Sequence, residues 1–437
     1  MKLRTGGTET GANRLASDDA GARSFGFNDV KGKQMNSTAK KVVVAVSVLI
    51  MAYVATGYVR ARESDDKAFH ALTVYSEVLE HIQRDYVDDP NMHQVTSGAL
   101  HGLLDSLDPQ SAYLSPLEYT DYKEKSANHA KASAGVALTK RFGYIGVIAV
   151  LPDSPAQKAG LHIGDLMESI AGFTTSQMAL DQAQVLLTGE PGAVVKLSVI
   201  RRGKTEPQDM EIALAKLAPP KIVEDKIQDD IAYLHVHAFD PGTAKQIREK
   251  LGQFERQGAH KLILDLRDCA FGDIQEGVST AQLFLPSGTI TTLKGQTISA
   301  VVSSADPSKV AWSQPMAVLI GNGTDGAAEI LAGAIADNHR GETIGSRTYG
   351  TASMQKLVQL DDGSALILTV ATYYTPGGKE IPAEGVAPMV ELKPSDDVVA
   401  SNDQEQAQPN GAVAPDDAAV RKAVEILQGA GAARKAA

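Results

Sequence analysis

Two changes of texture, one near Ser133 and one at Pro219-Pro220, divide this chain into stretches that no single fold accommodates. Before the first, over 66–130, Phe69, Leu72, Val74, Val78, Leu79 and Ile82 recur at three- and four-residue spacing, and Leu100, Leu103 and Leu104 resume the pattern. That spacing predicts helices with one apolar face. Asp108-Pro109 interrupts them and Pro116 opens a further short helix. Between the boundaries, over 131–217, short β-like segments (135–138, 145–150 and 194–201) alternate with glycine turns, the texture of a small β-rich domain. Beyond Pro219-Pro220, over 218–394, strands (231–237, 261–266) alternate with helices (241–257), which predicts an α/β layered core. Residues 395–437 read as a Pro/Asp/Ala/Gln-rich linker and a last amphipathic helix over 416–427. The fold class expected is therefore α/β and multi-domain.

The N-terminus adds a membrane expectation. Residues 42–59 hold about eighteen residues without a charge, enough for a hydrocarbon core of about 30 Å. Lys40, Lys41, Lys31, Lys33 and Arg23 precede the run, whereas Arg60, Arg62 and Lys67 follow it mixed with Glu63, Asp65 and Asp66. The excess of basic residues before the run orients the N-terminus toward the cytoplasm and the body outward. No clean small-x-small cleavage site precedes the charged stretch, so the run reads as an uncleaved transmembrane signal anchor, with a cleaved signal peptide as the alternative, and residues 1–41 as a disordered cytoplasmic tail. A net charge of −11, without a clustered basic face, argues against nucleic acid as partner. One cysteine, Cys269, excludes an internal disulfide.

Six blocks in order over about 300 residues carry a resemblance: 107–114 (LDPQSAYL), the β-rich stretch, 262–267 (LILDLR), 283–286 (LFLP), 328–334 (AEILAGA) and 373–378 (YYTPGG). Together they resemble the carboxy-terminal processing, or tail-specific, serine protease family. The resemblance implies a helical N-terminal segment, an inserted PDZ domain and an α/β protease core, with homodimerisation as a habit of the family. It implies no cofactor and no metal. PDZ domains add a peptide C-terminus as a strand to a sheet edge and hold its carboxylate with backbone N–H groups. Gly135, Val136, Ala137 and Leu138 fall where the family's carboxylate-binding loop lies, which makes them the expected peptide-binding residues; a plain strand entry is the alternative. Ser154 to Asp165 is expected to cap and turn the PDZ elements.

The catalytic pattern departs from the family. Its members pair a serine nucleophile with a lysine base, because a hydroxyl near neutral pH needs a partner that takes its proton. The serine is the middle one of Ser-Ala-Ser-Ala-Ser-Glu, and the lysine follows in Thr-Phe-Gly-Lys-Gly-Ser-x-Gln. Here the first segment reads Thr324-Asp325-Gly326-Ala327-Ala328-Glu329 and the second Thr348-Tyr349-Gly350-Thr351-Ala352-Ser353-Met354-Gln355. The serine position is Gly326, the lysine position is Thr351, and Gln355 is retained. The family's Gly-Asn-Pro-Gly-Gly, whose backbone helps form the oxyanion hole, is replaced by Asp268-Cys269-Ala270-Phe271-Gly272.

These departures lead to a pseudoprotease as the expected function: a single-pass protein of the inner membrane, its body periplasmic, that binds protein or peptide C-termini without cleaving them and pairs with a second copy or an active homologue. The alternative of an active peptidase with a displaced dyad would draw on Thr324, Ser353 or Lys356, although Lys356 on a strand faces away from the side of Gln355. A structural oligomer with an empty PDZ site is a third reading. His235 and His237 share a strand face, but no third metal ligand stands nearby, and the expectation is a solvent-facing pair. Cys269 is expected to be a small buried residue, and Asp361-Asp362-Gly363-Ser364 a hairpin turn.

Overall fold

The computed structural model describes residues 69–392, apart from 128–131, 142, 177, 202 and 229, together with 417–435 and positions 41, 45–49 and 51. The tail, the linker and most of the anchor expected over 42–59 lie outside the described residues. Of the anchor, 45–49 and 51 are helical and exposed. Among the described residues no helix is long and apolar enough to cross a membrane.

Two compact units divide the chain after Pro90. In the first, a helix over 69–85 carries an i,i+4 ladder in which Arg84 reaches Glu80 at 3.1 Å and His81 meets Asp85 at 2.7 Å. The apolar stripe anticipated from periodicity is present, but Phe69, Leu72, Val74 and Val78 are exposed rather than packed.

The second unit begins with helix Met92–Asp105, strand Ala112–Leu114 and helix Pro116–Ala127. Ser115 and Glu118 form a reciprocal cap: Glu118 accepts from the Ser115 amide (2.8 Å), and Ser115 Oγ accepts from the Glu118 amide (3.4 Å). The Asp108-Pro109 break is a built turn. Asp108 Oδ1 accepts from the amides of Gln110 and Ser111, both at 2.8 Å, and from Thr369 Oγ1 at 3.1 Å. This ties the turn to the long strand Ala365–Tyr374, with which Ala112–Leu114 pairs antiparallel. The expected helical segment thus contributes a strand to a sheet of the core. Ser353–Gln359, Thr289–Lys294 and Val301–Ser304 complete that sheet.

The β-rich stretch forms an antiparallel sheet in the order Val136–Arg141, Tyr144–Val150, Leu166–Ile170, Val194–Ile200, Gln208–Ala213. Its alternate residues, Val136, Leu138, Ile145, Val147, Met167, Leu197 and Val199 among them, close over helix Leu180–Leu186 into a separate apolar core. Ser154 caps the short helix Pro155–Lys158 and Asp165 Oδ2 accepts from the His162 amide, the turn roles expected of that run.

The remaining core is a six-stranded sheet in the order Val223–Ile227, Ile231–His235, Lys261–Asp265, Met316–Ile320, Glu342–Gly345, Val390–Glu391, parallel from the second strand onward. Alternation along each strand sends Leu234, Leu262, Leu264 and Val318 toward helices Thr243–Arg256, Ile274–Ala281 and Ala327–Asp337. Ile231, Tyr233, Ile263, Ala317 and Leu319 face the other way, against helix Ala418–Lys435. The last helix is therefore a full layer of the core. Asp417 anchors it: it caps the amides of Ala419 and Val420 and pairs with Arg267 at 2.7 Å.

Candidate active site

Open parallel sheets present their functional loops at the carboxyl ends of the strands, and the two motif segments lie there. Strand Met316–Ile320 runs into the loop Gly321–Asp325, and Gly326 caps helix Ala327–Asp337. Gly326 has φ +54° and ψ −111°. This sharp strand-to-helix turn is the kind of backbone that exposes a nucleophile, and it is costly for any residue with a Cβ. A Cβ built at Gly326 would meet nothing within 4 Å. The elbow is present, there is room for a side chain, and no side chain is there.

Thr351 sits opposite, between strands Glu342–Gly345 and Ser353–Gln359. One carboxylate joins the two positions: Glu329 Oε2 accepts from the amides of Gly326 (3.2 Å), Thr351 (3.0 Å) and Ala352 (3.3 Å). Its other oxygen accepts from the Gly350 amide at 2.7 Å and Thr348 Oγ1 at 2.5 Å. Two amides on a single oxygen bring positions 326 and 351 face to face, as the register anchored on Glu329 required. Thr351 Oγ1 donates to Asp325 Oδ1 at 2.6 Å. Burial raises the pKa of both Asp325 and Glu329, with the Asp325 charge as the second cause at Glu329, which is pushed up to about 8. The two acids share a hydrogen bond, and burial favours the protonated form of each.

The candidates for a displaced dyad are otherwise engaged. Thr324, fully buried, donates to the Leu266 carbonyl at 2.7 Å and accepts from the Gly321 amide at 3.0 Å. Ser353 Oγ lies between Gln110 Oε1 and the Thr351 carbonyl and accepts from Gln355 Nε2 at 2.8 Å. Gln355, retained from the family pattern, also donates to Gln110 at 2.8 Å. Lys356 is exposed.

The loop expected at the oxyanion position, Asp268 to Gly272, spends two of its amides on internal partners. The Cys269 amide donates to the Leu266 carbonyl at 3.2 Å, and the Phe271 amide bonds the Cys269 thiol. Cys269 is fully buried, and that burial holds its thiol well above the usual range. Gly272 has a local reason to persist: at φ +111° its Cβ would lie 2.3 Å from the Phe239 carbonyl oxygen. His235 and His237 are in ring contact, tilted by 47° with centroids 3.9 Å apart. They are part-buried and not solvent-facing as expected, where the strand ends and His235 pairs with Asp265 of the neighbouring strand. Burial, then the neighbouring His235, lowers His237 to about 3.

The PDZ sheet lies on this site. Ala137, Ile148 and Ala149 pack with Ala270, Phe271 and Tyr349, and Thr139 Oγ1 bonds the Tyr349 hydroxyl. Val136–Arg141 is an edge strand of its sheet, beside helix Leu180–Leu186, the arrangement that accepts an added strand. Of the expected binding residues, Gly135 has φ +78°, and its Cβ would lie 2.5 Å from Ser154 Cβ, so close approach alone demands glycine. Val136 and Leu138 point into the PDZ core, and Ala137 faces the protease core. Three groups at the head of the strand already hold internal partners. The Ala134 amide donates to the Leu187 carbonyl (2.9 Å), the Gly135 amide to Ser133 Oγ (3.1 Å), and Gln184 Nε2 to the Val136 carbonyl (3.0 Å).

This fold and its site define a PDZ-bearing peptidase scaffold. The chain belongs to the carboxy-terminal processing peptidases: the Peptidase family S41 profile matches residues 230–392, and the PDZ domain profile residues 131–200. A carboxyl-terminal-processing protease of Synechocystis is 30% identical over 70% of this chain and 73% of its own length. A carboxy-terminal-processing protease of Bartonella bacilliformis is 29% identical over 79% and 80%. Among solved structures, a photosystem II D1 C-terminal processing protease shares the fold, with a TM-score of 0.60 at 24% identity, covering 77% of this chain and 98% of that one.

Sequence reasoning passed over Asp325, although it stands where the family pattern has alanine. It used Glu329 only to fix a register, whereas the structure makes it the residue that holds the two loops together. Gln184 left no readable signal, since a glutamine on a short helix has no pattern of its own.

Proposed function

We propose that this chain is a pseudoprotease that binds extended or C-terminal peptide segments without cleaving them. The observation that carries the reading is Gly326, a residue with no side chain on a nucleophile-type elbow. Thr351, spent on Asp325, supports it, since a threonine hydroxyl is no base near neutral pH. The hydrogen bonds of Thr324 and Ser353 speak against a displaced nucleophile. Ligands would join the edge strand Val136–Arg141 and displace the Gln184 and Ser133 side chains, two bonds worth about 1 kcal/mol each. The run 42–59 would anchor the chain in the inner membrane with its body periplasmic, where a second copy or an active homologue is the natural partner.

The test is incubation of the full chain in detergent with unfolded proteins and peptides of apolar C-terminus, read by mass spectrometry and by fluorophosphonate labelling. Peptides bound and left whole, with no label, are the expected result. Cleavage that disappears on Ser353→Ala or Thr324→Ala would establish an active peptidase instead.

A further inference from the structure

Gly326 and Thr351 explain why this site lacks a nucleophile and a base, but Asp325 is a separate departure with its own chemistry. It replaces the small residue immediately before the nucleophile position. Its carboxyl group is turned toward position 351 and bonded there at 2.6 Å. The neighbouring acid, Glu329, is fully buried and held in place by five donors. A longer side chain at position 351 would start from within hydrogen-bond reach of this carboxyl.

We propose that Asp325 is a third inactivating residue: a lysine restored at position 351 would be held as an ammonium by the Asp325 carboxylate, and the site would stay silent until Asp325 is removed. The proposal rests on the pseudoprotease reading. In the family's chemistry the serine Oγ–H gives its proton to the neutral lysine Nζ while Oγ bonds the scissile carbonyl carbon. The lysine returns that proton to the amine as the C–N bond breaks, and water then hydrolyses the ester. Every step needs the lysine unprotonated at rest, and burial without a counter-charge is what supplies that state. A carboxylate at hydrogen-bond distance does the opposite. An opposite charge at such range shifts a titrating group by about 1 to 3 pK units, so the neutral fraction falls by about 10- to 1000-fold. Asp325 therefore acts on the base through its charge and needs no contact with substrate, which makes it a positioning residue in reverse.

The experiment compares G326S/T351K with G326S/T351K/D325A and G326S/T351K/D325N, the asparagine keeping the shape of Asp325 without its charge. Two readouts are taken: peptide cleavage across pH 6–10, and the pKa of the introduced lysine from its 13Cε shift. The double variant is expected to cut only as pH rises toward 10, and the triples to cut at least tenfold faster at pH 7 with a profile displaced to lower pH. The lysine is expected to titrate at least one unit lower in both triples than in the double. Equal lysine pKa values in the double and the triples overturn the proposal whether or not any variant cleaves, and so does a double variant as active at pH 7 as the triples. Cleavage by the natural sequence would instead overturn the pseudoprotease reading and leave the lysine titration to judge Asp325 alone.

Discussion

Raising the pH from 6.5 to 8 brings Glu329 in the folded chain from almost fully protonated to about half ionised, and the cost of that loss can be worked out. Its pKa rises from 4.5 to about 8, through burial first and the Asp325 charge second. A group whose folded pKa is raised stabilises the fold fully below its unfolded pKa, and that stability is lost as pH climbs through the folded value. His237 has the opposite sign: burial lowers it from 6.5 to about 3, so its contribution grows with pH and is complete by 6.5. Between 4.5 and 6.5 the two slopes oppose one another. Above 6.5 the Glu329 slope stands alone, at up to about 1.4 kcal/mol per pH unit, or about 2 kcal/mol in all by pH 8. Urea denaturation of the wild type at half-unit steps should show stability level to pH 6.5 and then falling by an amount of that order. In Glu329→Gln the fall should vanish, while the lost acceptor for several amides lowers the whole curve by about 2 to 4 kcal/mol. Parallel curves for wild type and variant between pH 6.5 and 8 would refute the reasoning, because the proton would then reside elsewhere.

Three further outcomes follow from single contacts. Gly326→Ala places a methyl in open space on a strained backbone, so it should cost about 1 to 3 kcal/mol in unfolding measurements without any loss of peptide binding. Gln184→Ala frees the Val136 carbonyl for an incoming strand, and fluorescence anisotropy with a peptide of apolar C-terminus should show binding about fivefold tighter. Leu427→Ala hollows the contact between the last helix and the central sheet, where Leu427 is 2% exposed, and should cost about 2 to 5 kcal/mol in chemical denaturation.

Much of the scaffold was readable because it rests on local rules. The alternation that buries Leu262 and Leu264 on one side and Ile263 on the other is written into the strand itself, and Ser154-Pro155 announces its own helix cap. The facing of positions 326 and 351 was legible through spacing to Glu329. Other features depend on partners far away in the chain. Nothing near Leu107–Leu114 shows that these residues close a sheet through Thr369, and the amphipathic stretch at 416–427 does not reveal that it covers a whole face of the core. The histidine pair was misplaced for the same reason: strand parity gives a shared face, and only the packing of residues distant in the chain decides how far that face is covered. The apolar stripe of helix 69–85 shows the limit of periodicity, which identifies a face and leaves open whether anything packs on it.

Glu329 keeps the shape of the cleft independent of the side chains at the two motif positions. Because one of its oxygens takes amides from both sides, the spacing between the two loops is set by main chain and by a residue that does no chemistry. The spacing therefore does not depend on a side chain at position 326 or 351, although the Gly326 backbone at φ +54° still penalises a Cβ there. The architecture of the cleft thus stands apart from the chemistry of the two motif positions, and stability restrains position 326 through its backbone rather than through the contact between the loops. The groove outlives the blade.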